Sequence, residues 1–76
     1  MDRVKYDAVC SAIRTFLHAR GPLAVDELEG LVADALMPSF EDSISWYFTT
    51  VQADLRSDGE IRDLPGAKIE LIYKYK

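Results

Sequence analysis

Cys10 and His18 are the first residues whose chemistry is worth weighing, because a thiol held against an imidazole becomes a nucleophile. Both fall in one helical stretch, eight residues apart, which is about 12 Å along a helix axis. Activation needs hydrogen-bond contact. The spacing therefore favours Cys10 as a small buried hydrophobe and His18 as a solvated residue near a helix end. The acids Asp26, Glu27 and Glu29 form the next cluster, since carboxylate oxygens ligate hard cations. They stand where a helix opens, and the positive end of the helix dipole favours acids there without any metal, so they read as a solvated face. One cysteine and one histidine cannot furnish a structural zinc site. The sequence has no glycine-rich phosphate loop, no H-x-x-x-H pair and no nucleophile elbow. The expectation is a protein that is not an enzyme, with no cofactor, no metal and no catalytic residues.

What remains is recognition. On a regular helix beginning at Ile44, the residues Trp46, Thr49, Ala53 and Arg56 lie opposite the apolar face, with Ser45, Thr50 and Ser57 at its edges. Trp46 has two readings. It folds back to fill a corner of a small core, as tryptophan is well buried on average, or it anchors a partner among small neutral neighbours. A DNA-binding use of the same helix draws on Ser45, Thr49, Gln52 and Arg56 as hydrogen-bonding groups, with Lys68 added from the strands that follow.

Charge separates these uses. Between Gly21 and Glu60 stand nine carboxylates (Asp26, Glu27, Glu29, Asp34, Glu41, Asp42, Asp54, Asp58 and Glu60) against one base, Arg56, a net −8 in a chain of net −4. Affinity for nucleic acid is dominated by lysine and arginine at phosphates, so the region disfavours it. The remaining bases, Arg3, Lys5, Arg14, Arg20, Arg62, Lys68, Lys74 and Lys76, lie toward the two ends. They are either a distal basic patch or ordinary solubilising surface.

The elements that must position these side chains follow from periodicity. Between Arg3 and Ala19, Tyr6, Val9, Cys10, Ile13, Phe16 and Leu17 recur at three- and four-residue steps and make one helical stripe. Asp7, Ser11, Arg14, Thr15 and His18 fall opposite, and Gly21-Pro22 supplies the stop. Leu23 and Ala24 should then run extended. A second helix opens near Val25 or Asp26, with Leu28, Leu31, Val32 and Ala35 inward and Leu36 at the margin, and ends at Met37-Pro38. Gly30 weakens its interior by roughly 1 kcal/mol relative to alanine, and its missing side chain would allow another helix close. Ser39, with Asp42 three residues on, has the spacing of a capping box. The third helix runs from there to Ser57, with Ile44, Phe48, Val51 and Leu55 inward, Tyr47 flanking them, and Asp58-Gly59 as its left-handed end. Glu60–Leu64 and 68–73 read as two strands joined through Pro65-Gly66, by a connection looser than a two-residue turn. Ile69, Leu71 and Tyr73 alternate with Lys68, Glu70 and Lys74, so one face should pack on the helices.

Seventy-six residues make one domain, 1–76, and a chain this short buries only about 60–65% of its unfolded surface. With 49% hydrophobic and 29% charged residues, it is a folded protein and not a disordered one. No apolar run approaches the roughly 18 residues of a membrane span, and the N-terminus does not lead into a signal-peptide core. A cytoplasmic address without membrane association is expected. Cys10 has no second cysteine to pair with, so packing must hold the fold.

Val51, Leu55, Gly59 and Ile61 spell V-x-x-x-L-x-x-x-G-x-I, and with the order helix, extended dipeptide, helix, turn, helix, hairpin the chain resembles the winged helix-turn-helix family. The likeness implies an α+β winged helix, three helices followed by a C-terminal β-hairpin wing, covering nearly all of the chain. Members of that family mostly bind DNA through the third helix, while a sizeable minority mediate protein contacts, and fold alone does not choose. The run from Trp46 to Arg62, with Val51-Gln52-Ala53-Asp54-Leu55, is also similar to a group of small uncharacterised bacterial proteins thought to share the fold. The wing implied here has Pro65, Gly66 and Ala67 at its tip and no basic finger. The preferred expectation is a module that binds a protein partner or a second copy of itself as a homodimer, through Trp46, Thr49, Ala53 and Arg56. The alternative is a small winged-helix DNA-binding transcriptional regulator contacting DNA with Ser45, Thr49, Gln52, Arg56 and Lys68.

Overall fold

A computed structural model describes residues 3–36 and 44–72. The elements run α1 (Arg3–Arg20), β1 (Leu23–Ala24), α2 (Val25–Leu36), α3 (Ile44–Ser57), β2 (Ile61–Leu64) and β3 (Lys68–Leu71). This is the α+β order of a winged helix, three helices followed by a C-terminal hairpin. The capping box at Ser39, the Met37-Pro38 stop, and Tyr73 with the tail behind it lie outside the described residues.

In α1 the predicted stripe buries Val9, Cys10, Ile13 and Leu17, with Tyr6 and Phe16 half-buried beside them, while the five residues expected opposite are exposed. The helix stops where the Gly21 N–H donates to the Leu17 carbonyl (2.9 Å), a single bond that satisfies one of its terminal acceptors. In α2, Leu28 and Val32 are buried, and Leu31 and Leu36 pack on the core from its margin. Ala35, expected inward, is exposed. It lies in the last turn, where a methyl group is too short to reach the core that Leu36 still touches. Gly30 is also corrected. It is exposed, and a Cβ there would meet nothing within 4 Å, so no helix approaches it. Two residues past Leu28 is roughly 200° around the helix, which turns Gly30 to solvent.

α3 contributes the largest share of the core, with Ile44, Tyr47, Phe48, Val51 and Leu55 all buried. Its end is a two-bond glycine cap. The Glu60 N–H donates to the Leu55 carbonyl (2.9 Å) and the Gly59 N–H to that of Arg56 (3.1 Å), with Gly59 at φ 77°. These are the two bonds of a Schellman motif, and they reverse the chain so that Ile61 enters the core one residue later.

The hairpin pairs Ile61 with Leu71 and Leu64 with Lys68. The expected strand at Glu60 starts one residue later, although the Glu60 carbonyl still accepts the Ile72 N–H (2.8 Å). Pro65, Gly66 and Ala67 form the connection. Gly66 at φ 84° suits the third position of a type II turn, and Ala67 at φ 56° takes a left-handed conformation that costs a residue with a Cβ about 1–2 kcal/mol. The sheet also has a strand that periodicity did not show. β1 pairs antiparallel with β3, Leu23 against Ile69 and Ala24 against Lys68, giving the order β1-β3-β2. The Val25 N–H, at the start of α2, donates to the Ala67 carbonyl (3.0 Å), so the strained turn also satisfies a helix terminus.

Among the described residues, all of these apolar faces meet in one cluster of fourteen buried residues that draws on every element. Among the described residues no charged residue is buried, and Tyr47 brings the one hydroxyl in the cluster. Polar contacts lie around its rim instead. Arg14 of α1 grips Glu60 with two hydrogen bonds (3.1 and 2.9 Å), the Tyr6 hydroxyl donates to Asp54 of α3, and Arg62 pairs across the strands with Glu70. No helix among the described residues is long and apolar enough to cross a membrane.

Candidate functional site

The outer face of α3 is positioned by the burial of its inner face. Because Tyr47, Phe48, Val51 and Leu55 are held in the core, helical geometry turns Trp46, Thr49 and Ala53 outward at steps of three and four residues, on one stripe. All three are exposed. Trp46 is 56% exposed, which corrects the reading of it as core. Its ring and that of Tyr47 are perpendicular, with centroids 5.1 Å apart and planes at 88°. Tyr47, one residue on, takes the buried position.

Arg56 does not join that stripe. It is half-buried, and its Nη2 donates to Asp63 Oδ1 of β2 at 2.9 Å. Ser45 is exposed, and its hydroxyl donates to Glu29 Oε2 of α2 at 2.8 Å. Gln52 is half-buried between them in sequence, and its Oε1 and the Nε of Arg56 are both buried without a hydrogen-bond partner. Lys68 is exposed at the start of β3, beside the hairpin turn. Of the residues that would face DNA, then, Ser45 and Arg56 are committed to acids of this chain, Gln52 is partly covered, and Thr49 and Lys68 are open.

The pair Cys10 and His18 is not brought together in a catalytic manner. Cys10 is buried in the core, His18 is exposed, and burial pushes the Cys10 thiol up from its ordinary value, away from the thiolate that a nucleophile requires. Among the described residues no three His, Cys, Asp or Glu side chains are placed to hold a metal ion. A shallow depression between α1 and β3, lined by Arg14, Thr15, His18, Ala19 and Leu71, takes nothing from α3, and its arginine is the one bound to Glu60.

Sequence reasoning missed the polar links among helices and sheet. Tyr6 and Asp54 are 48 residues apart, Arg14 and Glu60 are 46, and Ser45 and Glu29 are 16. Periodicity marks which face a residue takes and carries no signal for such a partner. The Tyr6 hydroxyl is pushed up to about 12, first by its hydrogen bond to Asp54, then by burial and by the nearby negative charge.

A family model described as "Family of unknown function (DUF6958)" matches residues 1–71. The chain belongs to that family. No curated protein and no solved structure matches it. The DUF6958 description names neither a fold nor a role, so the likeness to winged helices rests on architecture: three helices, then a hairpin within a three-stranded sheet. For this DUF6958 chain the outer face of α3 is the surface whose composition asks for an explanation.

Proposed function

We propose that the chain is a non-enzymatic winged-helix module that binds protein, either a partner or a second copy, through the outer face of α3. The observation that carries this reading is Trp46, exposed on a regular helix and continued along one stripe by the small side chains of Thr49 and Ala53. Interface cores are enriched in such aromatic anchors and depleted of charge. Arg56 serves at the border of the surface, held by Asp63. The rival reading, a winged-helix DNA-binding regulator, draws on the same architecture. Against it stand the acids around α3 and the engagement of Ser45 and Arg56 with Glu29 and Asp63, which leave few donors for phosphates.

The test is Trp46→Ala, compared with the unaltered chain by far-UV circular dichroism, size-exclusion light scattering and partner capture. We expect an unchanged spectrum and loss of the self-association or partner binding that the unaltered chain shows, by about 2 kcal/mol or more, roughly thirtyfold. Binding that survives the substitution removes α3 as the interface. Titration of labelled duplex DNA at low salt decides the rival. Micromolar, steeply salt-sensitive binding would replace the protein-binding reading with a regulator.

A further inference from the structure

On its α2 side the surface of α3 is bordered by carboxylates. Ser45, the residue before Trp46, holds Glu29 of α2 against the first turn of α3 through a 2.8 Å hydrogen bond. Asp26 stands three residues before Glu29, which on a helix puts it on the same side. α2 carries four carboxylates and no base. The one base of α3, Arg56, is paired with Asp63. Among the described residues neither Asp26 nor Glu29 has a cationic partner.

An exposed indole and neighbouring carboxylates attract the same thing. The face of the ring is negative and draws a guanidinium or ammonium group, and the Glu29 carboxylate, held at neighbouring Ser45, and Asp26 one turn before it on α2 add to that attraction. We propose that the occupant of the α3 face is a lysine- or arginine-rich segment of another protein, with one cationic side chain over Trp46 and its neighbours paired to Asp26 and Glu29. This rests on the protein-binding reading above and adds the charge of the partner. A second copy of the chain is a poorer occupant, because a two-fold contact between α3 faces sets two acidic α2 borders near each other.

The experiment is selection of a displayed library of random peptides on the folded chain, with sequencing of what is enriched over the Trp46→Ala variant. Trp46 is the sole tryptophan, so enriched peptides can then be titrated by its fluorescence. Expected are peptides rich in lysine and arginine that shift the Trp46 emission and weaken as salt is raised. They should also lose roughly three- to tenfold in affinity on Asp26→Asn/Glu29→Gln, as two exposed ion pairs would. Glutamine at position 29 can still accept the Ser45 hydroxyl, so the fold is kept. Enrichment of neutral or acidic peptides that depend on Trp46 overturns the cationic partner and leaves the protein-binding reading standing. Self-association through Trp46, read by light scattering with no basic peptide selected, does the same and makes a second copy the occupant. Basic peptides enriched alike on the folded chain and on Trp46→Ala overturn both.

Discussion

Gly30 sits in the interior of α2 with open space where a side chain would be, so it costs helix stability without serving contact. Alanine there removes about 1 kcal/mol of unfavourable backbone entropy. Gly30→Ala should therefore raise the melting temperature by roughly 4–8 °C in a domain of this size, read by thermal circular dichroism. An unchanged or lowered midpoint would mean that the position is occupied in a way its open surroundings do not predict. Trp46 makes the opposite case. Its exposure at 56% means that its removal takes little from the core, which is why the same residue type can be lost from the fold cheaply and from an interface at large cost. Position along α3 decides the difference, since Tyr47, one residue on, is buried.

The helices are joined at their rim by groups that only the folded arrangement brings together. Tyr6 of α1 donates to Asp54 of α3, and the bond raises the Tyr6 hydroxyl from 10.0 to about 12. The folded state therefore holds that proton more tightly than the unfolded chain. The stability it adds is fully present below about pH 10 and is lost as pH rises through about 12. Denaturant titrations across that window should show the unaltered chain weakening more steeply than Tyr6→Phe, which at neutral pH should cost about 0.5–1 kcal/mol for a half-exposed hydrogen bond. Parallel slopes for the two proteins would sink this account of the α1–α3 link. Such links also mark what was legible beforehand. Apolar residues at three- and four-residue steps placed the three helices closely, and Asp58-Gly59 placed the end of α3, because both depend on local chain geometry. β1 was legible only as an extended dipeptide, for two residues hold too short a pattern to reveal a partner strand. The site was half legible. Helical spacing put Thr49 and Ala53 outward with Trp46, but whether the indole folded inward depended on tertiary space, and the turn of Arg56 toward Asp63 depended on where β2 begins.

One core draws on every described element, so helices and sheet should unfold together even though the charge of the chain is divided. α2 is purely acidic among its ionisable residues, while the bases of α1 and the hairpin are drawn partly into bridges such as Arg14 to Glu60 and Arg62 to Glu70. Exposed bridges of this kind are worth about 0–1 kcal/mol each, so packing decides whether the domain folds. At roughly 0.05–0.15 kcal/mol per residue, a chain of 76 residues has a total stability of about 4–11 kcal/mol. Phe48 is among the largest side chains buried in full, and truncating a buried phenylalanine to alanine costs about 3–5 kcal/mol. Phe48→Ala should therefore bring the domain to the edge of unfolding, with one transition at much lower urea concentration and the three helices lost together. Trp46→Ala, two residues away on the same helix, should leave the midpoint nearly where it was. Helix signal that persisted in Phe48→Ala after the tertiary signal had gone would show α1 to hold its structure without α3, against a fold maintained by one shared core.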